Sequence, residues 1–320
     1  MAHGRRFLGS VLVTILGCLT QASWALTQAM TPLQVHRVSP SAWYVEGQSA
    51  LGTSANQNFI SNAAFVVTPD GVVVIDALGS PALAIRLLAA IHAVTPLPVT
   101  HVIVTHYHAD HIYGLQTFKT AGAKIIAHLG AKLYLNSDTA RLRLEASRQE
   151  LAPWIDAHTR LVEADLWIDK ETSLSVGGVE FLLKPVGPSH TPEDLVIYLP
   201  QDKVLFAGDL VFRNRIPYVG QADSRQWILA LDTLLAYDTT VIVPGHGALS
   251  TDAKSDIQLT RDYLVYLRTA MGRAAKDMEP FEDAYTAVDW TPFEHLPLFR
   301  LANRMNAYNT YLLMEHERQR

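Results

Sequence analysis

The stretch Thr105-His106-Tyr107-His108-Ala109-Asp110-His111 packs three imidazoles and one carboxylate into its last six residues, directly after an apolar run. Neutral imidazole and carboxylate are natural ligands for zinc, and several of them in one turn can serve more than one ion. A His-rich surface loop would look the same in isolation. What separates the two readings is whether distant partners exist elsewhere in the chain.

Three such candidates follow: His190 in Gly187-Pro188-Ser189-His190-Thr191-Pro192, Asp209 in Ala207-Gly208-Asp209-Leu210, and His246 in Pro244-Gly245-His246-Gly247. Each follows or interrupts a strand-like run. Taken singly, each is an ordinary turn former or cap. Glycine beside a ligand permits unusual backbone angles and close approach, which suits a crowded metal centre.

Around these motifs, the pattern predicts extended segments over residues 43–46, 62–68 and 72–76, with a tight turn at Asp70-Gly71. Residues 81–93 have helical apolar spacing with Pro81 in the first turn, and they lead to a strand over 101–105. A helix over 112–120 stopped by Gly122, a strand over 124–127 and a longer amphipathic helix over 131–151 come next. Short strands are then expected at 179–183, 195–199, 204–206 and 241–243, with a helix near 224–236. This mixture of hairpins and strand-helix units implies an α+β fold, two packed sheets covered by helices, with polar clusters converging on one rim. From residue 251 the pattern is helical, notably 257–270 and 298–317, with a Pro-punctuated stretch between Pro280 and Pro297.

The chain has 320 residues, of which 49% are hydrophobic, enough to bury a substantial core. A net charge of −5 without a long Lys/Arg run argues against a nucleic-acid partner and favours a small-molecule substrate. Arg5-Arg6, an apolar run over 7–19 and Ala22-Ser23-Trp24-Ala25 have the form of a secretory signal peptide. The expected location is periplasmic or secreted. The paired arginines also fit twin-arginine export, and an uncleaved anchor or lipid attachment at Cys18 are the competing readings. No later segment is long enough to span a bilayer, so no stable membrane insertion is expected after signal removal. Cys18 is the only cysteine, and cleavage after Ala25 would leave nitrogen and oxygen as the metal ligands. Oligomeric state is left open.

His-x-His-x-Asp-His, then His, Asp and His, resembles in full and in order the metallo-β-lactamase fold superfamily. The resemblance covers roughly 35–250 and includes Asp76, which in that family supports the site without binding metal. It implies a four-layer αββα sandwich over 26–250, after a signal peptide at 1–25 and before an appended C-terminal helical region at 251–320. It assigns His106, His108 and His190 to one zinc ion, Asp110, His111 and His246 to a second, and Asp209 as a bridge. Alternate residues of an extended segment share a side, so His106 and His108 can serve one ion together, while Asp110 and His111 lie beyond the turn. Two Zn2+ about 3.5–4 Å apart would lower the pKa of a shared water and position it for hydrolysis. Asp110 is the catalytic candidate, orienting that water or carrying its proton. Iron and manganese remain open, whereas no cysteine is left for a cluster.

Class B β-lactamases generally carry Cys or Ser where this chain has Asp209. The Asp bridge resembles thioesterases and lactonases of the superfamily. The Thr191-Pro192-Glu193-Asp194 run and the tail residues Ala284-Tyr285, Asp289-Trp290 and Asn306-Ala307-Tyr308 are most similar to exported zinc hydrolases associated with quinoprotein dehydrogenases and sulfur oxidation. The expected reaction is zinc-dependent hydrolysis of a small ester-, thioester-, lactone- or amide-like substrate. Lactam hydrolysis, or a zinc-bearing periplasmic accessory role in a redox system, are the alternatives. Residues 51–58 read equally as a cover for the metal rim or a plain hairpin loop. Arg213, Asn214, Arg215 and Tyr218 read as an anion subsite or a solvated turn. Trp154, Trp167 and Trp227 read as packing residues.

Overall fold

The computed structural model describes residues 31–318, so the expected signal peptide, with Arg5, Arg6 and Cys18, lies outside the described residues. One sheet runs in the order β1 (His36–Arg37), β2 (Ala42–Val45), β3 (Ala63–Thr68), β4 (Gly71–Ile75), β5 (Val99–Ile103), β6 (Lys124–His128) and β7 (Leu166–Ile168). The other contains β8 (Thr172–Val176), β9 (Val179–Pro185), β10 (Leu195–Leu199), β11 (Val204–Phe212) and β12 (Val241–His246), in reverse order.

Alternation along the strands builds the layers. Val72 and Val74 of β4 face an outer core, while Val73 and Ile75 face the second sheet. In β10, Leu195, Ile197 and Leu199 meet them from the other side, and Val196 and Tyr198 face outward. The outer face of the first sheet is covered by α1 (Pro81–Val94), α2 (Ala109–Ile112), α3 (Leu115–Thr120), α4 (Ala131–Leu135) and α5 (Asp138–Glu150). The outer face of the second is covered by α6 (Ser224–Leu234), α7 (Ala253–Asp277), α8 (Phe281–Ala287) and α9 (Phe299–Arg318). Three apolar layers between four structural layers give the αββα sandwich, and each fully buried Leu, Ile, Val or Phe contributes about 1.5–3 kcal/mol.

Several elements differ from the sequence pattern for identifiable reasons. The helix expected over 112–120 is broken at Tyr113 and Gly114, because the Gly114 amide donates to the Leu78 carbonyl at 3.2 Å. A Cβ at Gly114 would lie 2.0 Å from the Ala77 carbonyl oxygen, so only glycine permits this approach. The long helix expected over 131–151 restarts at Asp138, where the Ser137 hydroxyl accepts from the Ala140 amide and caps α5. β11 continues to Phe212, six residues past its expected end, through a left-handed Gly208 and a shift of register against β12.

The C-terminal helices share the core of the second sheet. Tyr263, Leu264, Leu267 and Met271 of α7 pack with Trp227 and Leu231 of α6 and with Leu205, Leu210 and Val211 of β11. Among the described residues, no helix is long and apolar enough to cross a membrane.

Candidate metal centre

Strands β4 to β7 run parallel to one another, as do β11 and β12, so several loops emerge at one edge of the sandwich. Ligand-binding residues gather at such carboxyl ends. Asp76 follows β4 with a left-handed φ of 60°, its amide held by the Ile103 carbonyl at 3.0 Å. That strained backbone turns its carboxylate under the histidine motif. The Thr105 amide donates to Asp76 Oδ1 at 2.8 Å, the Thr105 hydroxyl donates to Oδ2 at 2.7 Å, and His111 Nδ1 donates to Oδ2 at 2.8 Å.

These bonds also set imidazole tautomers. His106 Nδ1 lies 3.0 Å from the Thr105 hydroxyl, which spends its own proton on Asp76 and so accepts. His246 Nδ1 donates to the Ile60 carbonyl at 2.6 Å. In His106, in His246 and in the neutral form of His111 the Nε2 lone pair is therefore the one left to face the centre.

Two groups of ligand-bearing side chains result: His106, His108, His190 and Asp209, and beside them Asp110, His111 and His246, with the ligand atoms of each group within 4.8 Å of one another. His108 Nδ1 and His190 Nε2 approach to 3.0 Å. Asp209 stands between the groups. Its Oδ2 lies 3.4 Å from His190 Nε2, 3.8 Å from His106 Nε2 and 3.2 Å from His246 Nε2, and its Oδ1 lies 3.2 Å from His111 Nε2. Asp110 Oδ2 lies 3.6 Å from His111 Nε2 and 3.4 Å from His246 Nε2.

The donor set fits a divalent cation. His106 Nε2, His111 Nε2 and Asp209 Oδ1 are buried without a hydrogen-bond partner, as is the far nitrogen of His190, Nδ1. Buried polar atoms are normally paired, and inward-facing imidazole and carboxylate atoms in this number suit a cation of zinc-like preference. Burial holds His106 and His108 below the ordinary imidazole range and pushes His190 down to about 3, which keeps their lone pairs available. Burial also opposes charge on His111, but Asp209, Asp110 and Asp76 around it hold it well above that range. For Asp209, burial is outweighed by His246, His111 and His106, and the carboxyl lies well below its usual range.

Close packing fixes these groups. A Cβ at Gly245 would fall 2.0 Å from Asp209 Oδ1, and one at the left-handed Gly208 would fall 2.8 Å from Thr105 Cβ. Phe212 stacks on His246 with centroids 5.1 Å apart and planes 6° apart, and Trp227 lies 5.1 Å from His190. The buried Asn62 ties the edge together, with Nδ2 donating to the Pro244 and Gly247 carbonyls at 2.8 and 2.7 Å and Oδ1 accepting from Gly47 at 3.0 Å. Sequence reasoning did not single out Ile60, Asn62 or Phe212, and it read Trp227 only as packing. Their partners lie too far along the chain to leave a local signal.

The remaining candidates separate. Arg213 turns away to Asp256 of α7 at 3.0 Å and to the Leu249 carbonyl at 2.6 Å, and Asn214 occupies a left-handed turn position. Arg215 is buried, with Nη1 3.3 Å from His246 Nδ1 and its guanidinium 5.6 Å from the Phe212 ring centroid. Tyr218 lies 6.3 Å from His108 and 6.4 Å from His190. The loop over 51–58 is an ordered turn: Trp154 Nε1 donates to the Ser54 carbonyl at 2.7 Å and Asn58 Nδ2 to the Gly79 carbonyl at 3.2 Å. Trp167 packs on Tyr107 at 6.4 Å.

Residues 57–246 match the Metallo-beta-lactamase superfamily. The chain is 25% identical over 240 residues to a linear primary-alkylsulfatase of Pseudomonas sp. (strain ATCC 19151), covering 63% of this chain and 45% of that protein. It is 27% identical over 200 residues to a metallo-beta-lactamase of Chryseobacterium indologenes, covering 61% and 75% respectively. A solved stereoselective inverting sec-alkylsulfatase from Pseudomonas sp. is alike in fold, with a TM-score of 0.68, 21% identity, and coverage of 88% of this chain and 50% of that one. The chain thus spans about half the length of the two alkylsulfatases.

Proposed function

From the premise that this chain belongs to the metallo-beta-lactamase superfamily, we propose that it is a zinc-dependent hydrolase with a dinuclear centre, acting on a small ester-, thioester-, lactone- or amide-like substrate. The observation that carries this reading is the pair of adjoining His/Asp groups with Asp209 between them. His106, His108 and His190 would hold one ion, Asp110, His111 and His246 the other, and Asp209 would serve both. Divalent metal there would supply Lewis acidity and a water of lowered pKa.

The chain's own groups supply orientation and proton transfer. Asp110, whose side chain is 15% exposed, can accept the proton of an attacking water at its carboxylate and pass it toward the leaving group. Asp76 and Thr105 hold the motif at both ends, so the reacting groups are fixed before substrate arrives. Arg215 supplies a buried positive charge next to His246, where an anionic substrate group would be favoured.

By their names, the relatives act on β-lactams and alkyl sulfates, so those classes join esters, thioesters and lactones as candidates. The leader-like sequence at residues 1–25 supports export, with the hydrolase beginning near residue 26. The test is to measure the metal content of the purified protein and screen a chromogenic lactam, an aryl ester, a thioester, a lactone, a phosphodiester and an alkyl sulfate. Two zinc equivalents and saturable hydrolysis, both lost in His108→Ala, are expected. Stable zinc with no turnover of any class would favour the accessory role.

A further inference from the structure

The tail reaches residues 217–219, beside the metal centre, through the side chain of Asn306. Asn306 of α9 is fully buried and uses both ends of its amide. Nδ2 donates to the Pro217 carbonyl at 2.7 Å and to the Tyr263 hydroxyl at 2.9 Å, while Oδ1 accepts from the Val219 amide at 3.0 Å. One residue earlier in the same segment, the Ile216 amide donates to the Pro297 carbonyl at 3.1 Å. The tail therefore grips the backbone on both sides of Tyr218.

Ile216 and Val219 are buried, whereas Tyr218 is 43% exposed and stands edge-on to His108 and His190. Gly220 adopts a left-handed φ of 52°, and a Cβ there would lie 2.8 Å from Tyr218 Cε1, so the ring rests against a position that only glycine leaves open. A half-exposed aromatic ring held this way offers a flat apolar surface at a fixed distance from two candidate ligands.

We propose that Asn306 is a positioning residue that fixes Tyr218 as an aromatic wall of the substrate cleft, selecting substrates with an aromatic or bulky apolar group beside the reacting centre. This rests on the metal-centre reading above. It makes the C-terminal helical region part of the substrate site as well as a cover for the second sheet.

The test uses the full chain loaded with cobalt(II), titrated with benzyl mercaptan and with 2-mercaptoethanol and followed by the thiolate-to-cobalt absorption band. The wild type should prefer benzyl mercaptan. Tyr218→Ala should reduce that preference about three- to tenfold. Asn306→Ala should reduce it equally, and the double variant should add nothing further. Asn303→Ala is the control, since Asn303 bonds Tyr263 and Tyr285 in the same polar network without touching the loop. It should lower the melting temperature and leave the preference intact. Asn306→Asp, which keeps the acceptor for Val219 but loses the donors, should fall between. An unchanged preference in Tyr218→Ala, additive effects of Tyr218 and Asn306, or an equal loss in Asn303→Ala would overturn the proposal. Failure of cobalt or of both thiols to bind would instead overturn the metal-centre reading, and this inference with it.

Discussion

Asp76 and Thr105 are joined twice, by the Thr105 amide to Oδ1 at 2.8 Å and by the Thr105 hydroxyl to Oδ2 at 2.7 Å. The same Oδ2 accepts from His111 Nδ1 at 2.8 Å, so one carboxylate orients both arms of the histidine motif. Asp76→Asn retains an acceptor for the Thr105 amide and tolerates the left-handed backbone, but its amide nitrogen cannot accept from Thr105 and His111. Zinc affinity should fall about 10- to 100-fold, as measured by competition with a chromophoric chelator. Unchanged affinity would show that Asp76 does not orient these groups.

Gly245→Ala should act on Asp209 through space. The new Cβ would fall 2.0 Å from Oδ1 and 2.8 Å from the Asp209 amide nitrogen, both part of a buried strand with little room to move. Metal content of the purified variant should drop by at least half while far-ultraviolet circular dichroism keeps the wild-type shape. Full occupancy would mean that Asp209 is dispensable.

Asn62→Ala removes three buried hydrogen bonds that join the start of β3 to the chain around His246 and to Gly47. The orphaned carbonyls and amide should cost on the order of 3 kcal/mol in urea unfolding of the metal-free protein. A loss under about 1 kcal/mol would indicate that water replaces the amide at no cost.

Glu193 tests the pH response of a buried carboxyl beside the histidine motif that is not itself a candidate ligand. Burial raises its pKa above the ordinary 4.5, against an opposing hydrogen bond from the Tyr107 amide. The folded chain then holds this proton more tightly than the unfolded chain, so the group's contribution is present below the unfolded pKa and is lost as pH rises through the folded one. Glu193→Gln should lose less stability than the wild type between about pH 4 and about pH 7. Denaturant midpoints at the two pH values check this, and parallel changes in both proteins would contradict it.

The ligand candidates were legible because their chemistry is local: His106, His108, Asp110 and His111 are consecutive or nearly so, and Gly208, Gly245 and Gly247 mark the remote ones. The sheets were legible wherever inward and outward residues alternate, as in β4 and β10. The sequence pattern ends β11 early because all nine of its positions are buried and Gly208-Asp209 has the composition of a strand end. The supports of the site leave no comparable trace. His246 and the Ile60 carbonyl are 186 residues apart, and Asn306 lies 87 residues from Val219, so only the folded chain brings them together.

In the proposed function, Asp209 joins two His/Asp groups into one hydrolytic metal centre. That role is tested most directly by counting metal per chain in the wild type and in Asp209→Ala, by mass spectrometry after zinc loading and dialysis. About two equivalents in the wild type, with loss of zinc and of hydrolysis together in the variant, is the expected result. A wild type that retains no metal, or an Asp209→Ala protein that retains the full complement and hydrolyses at the wild-type rate, would contradict it.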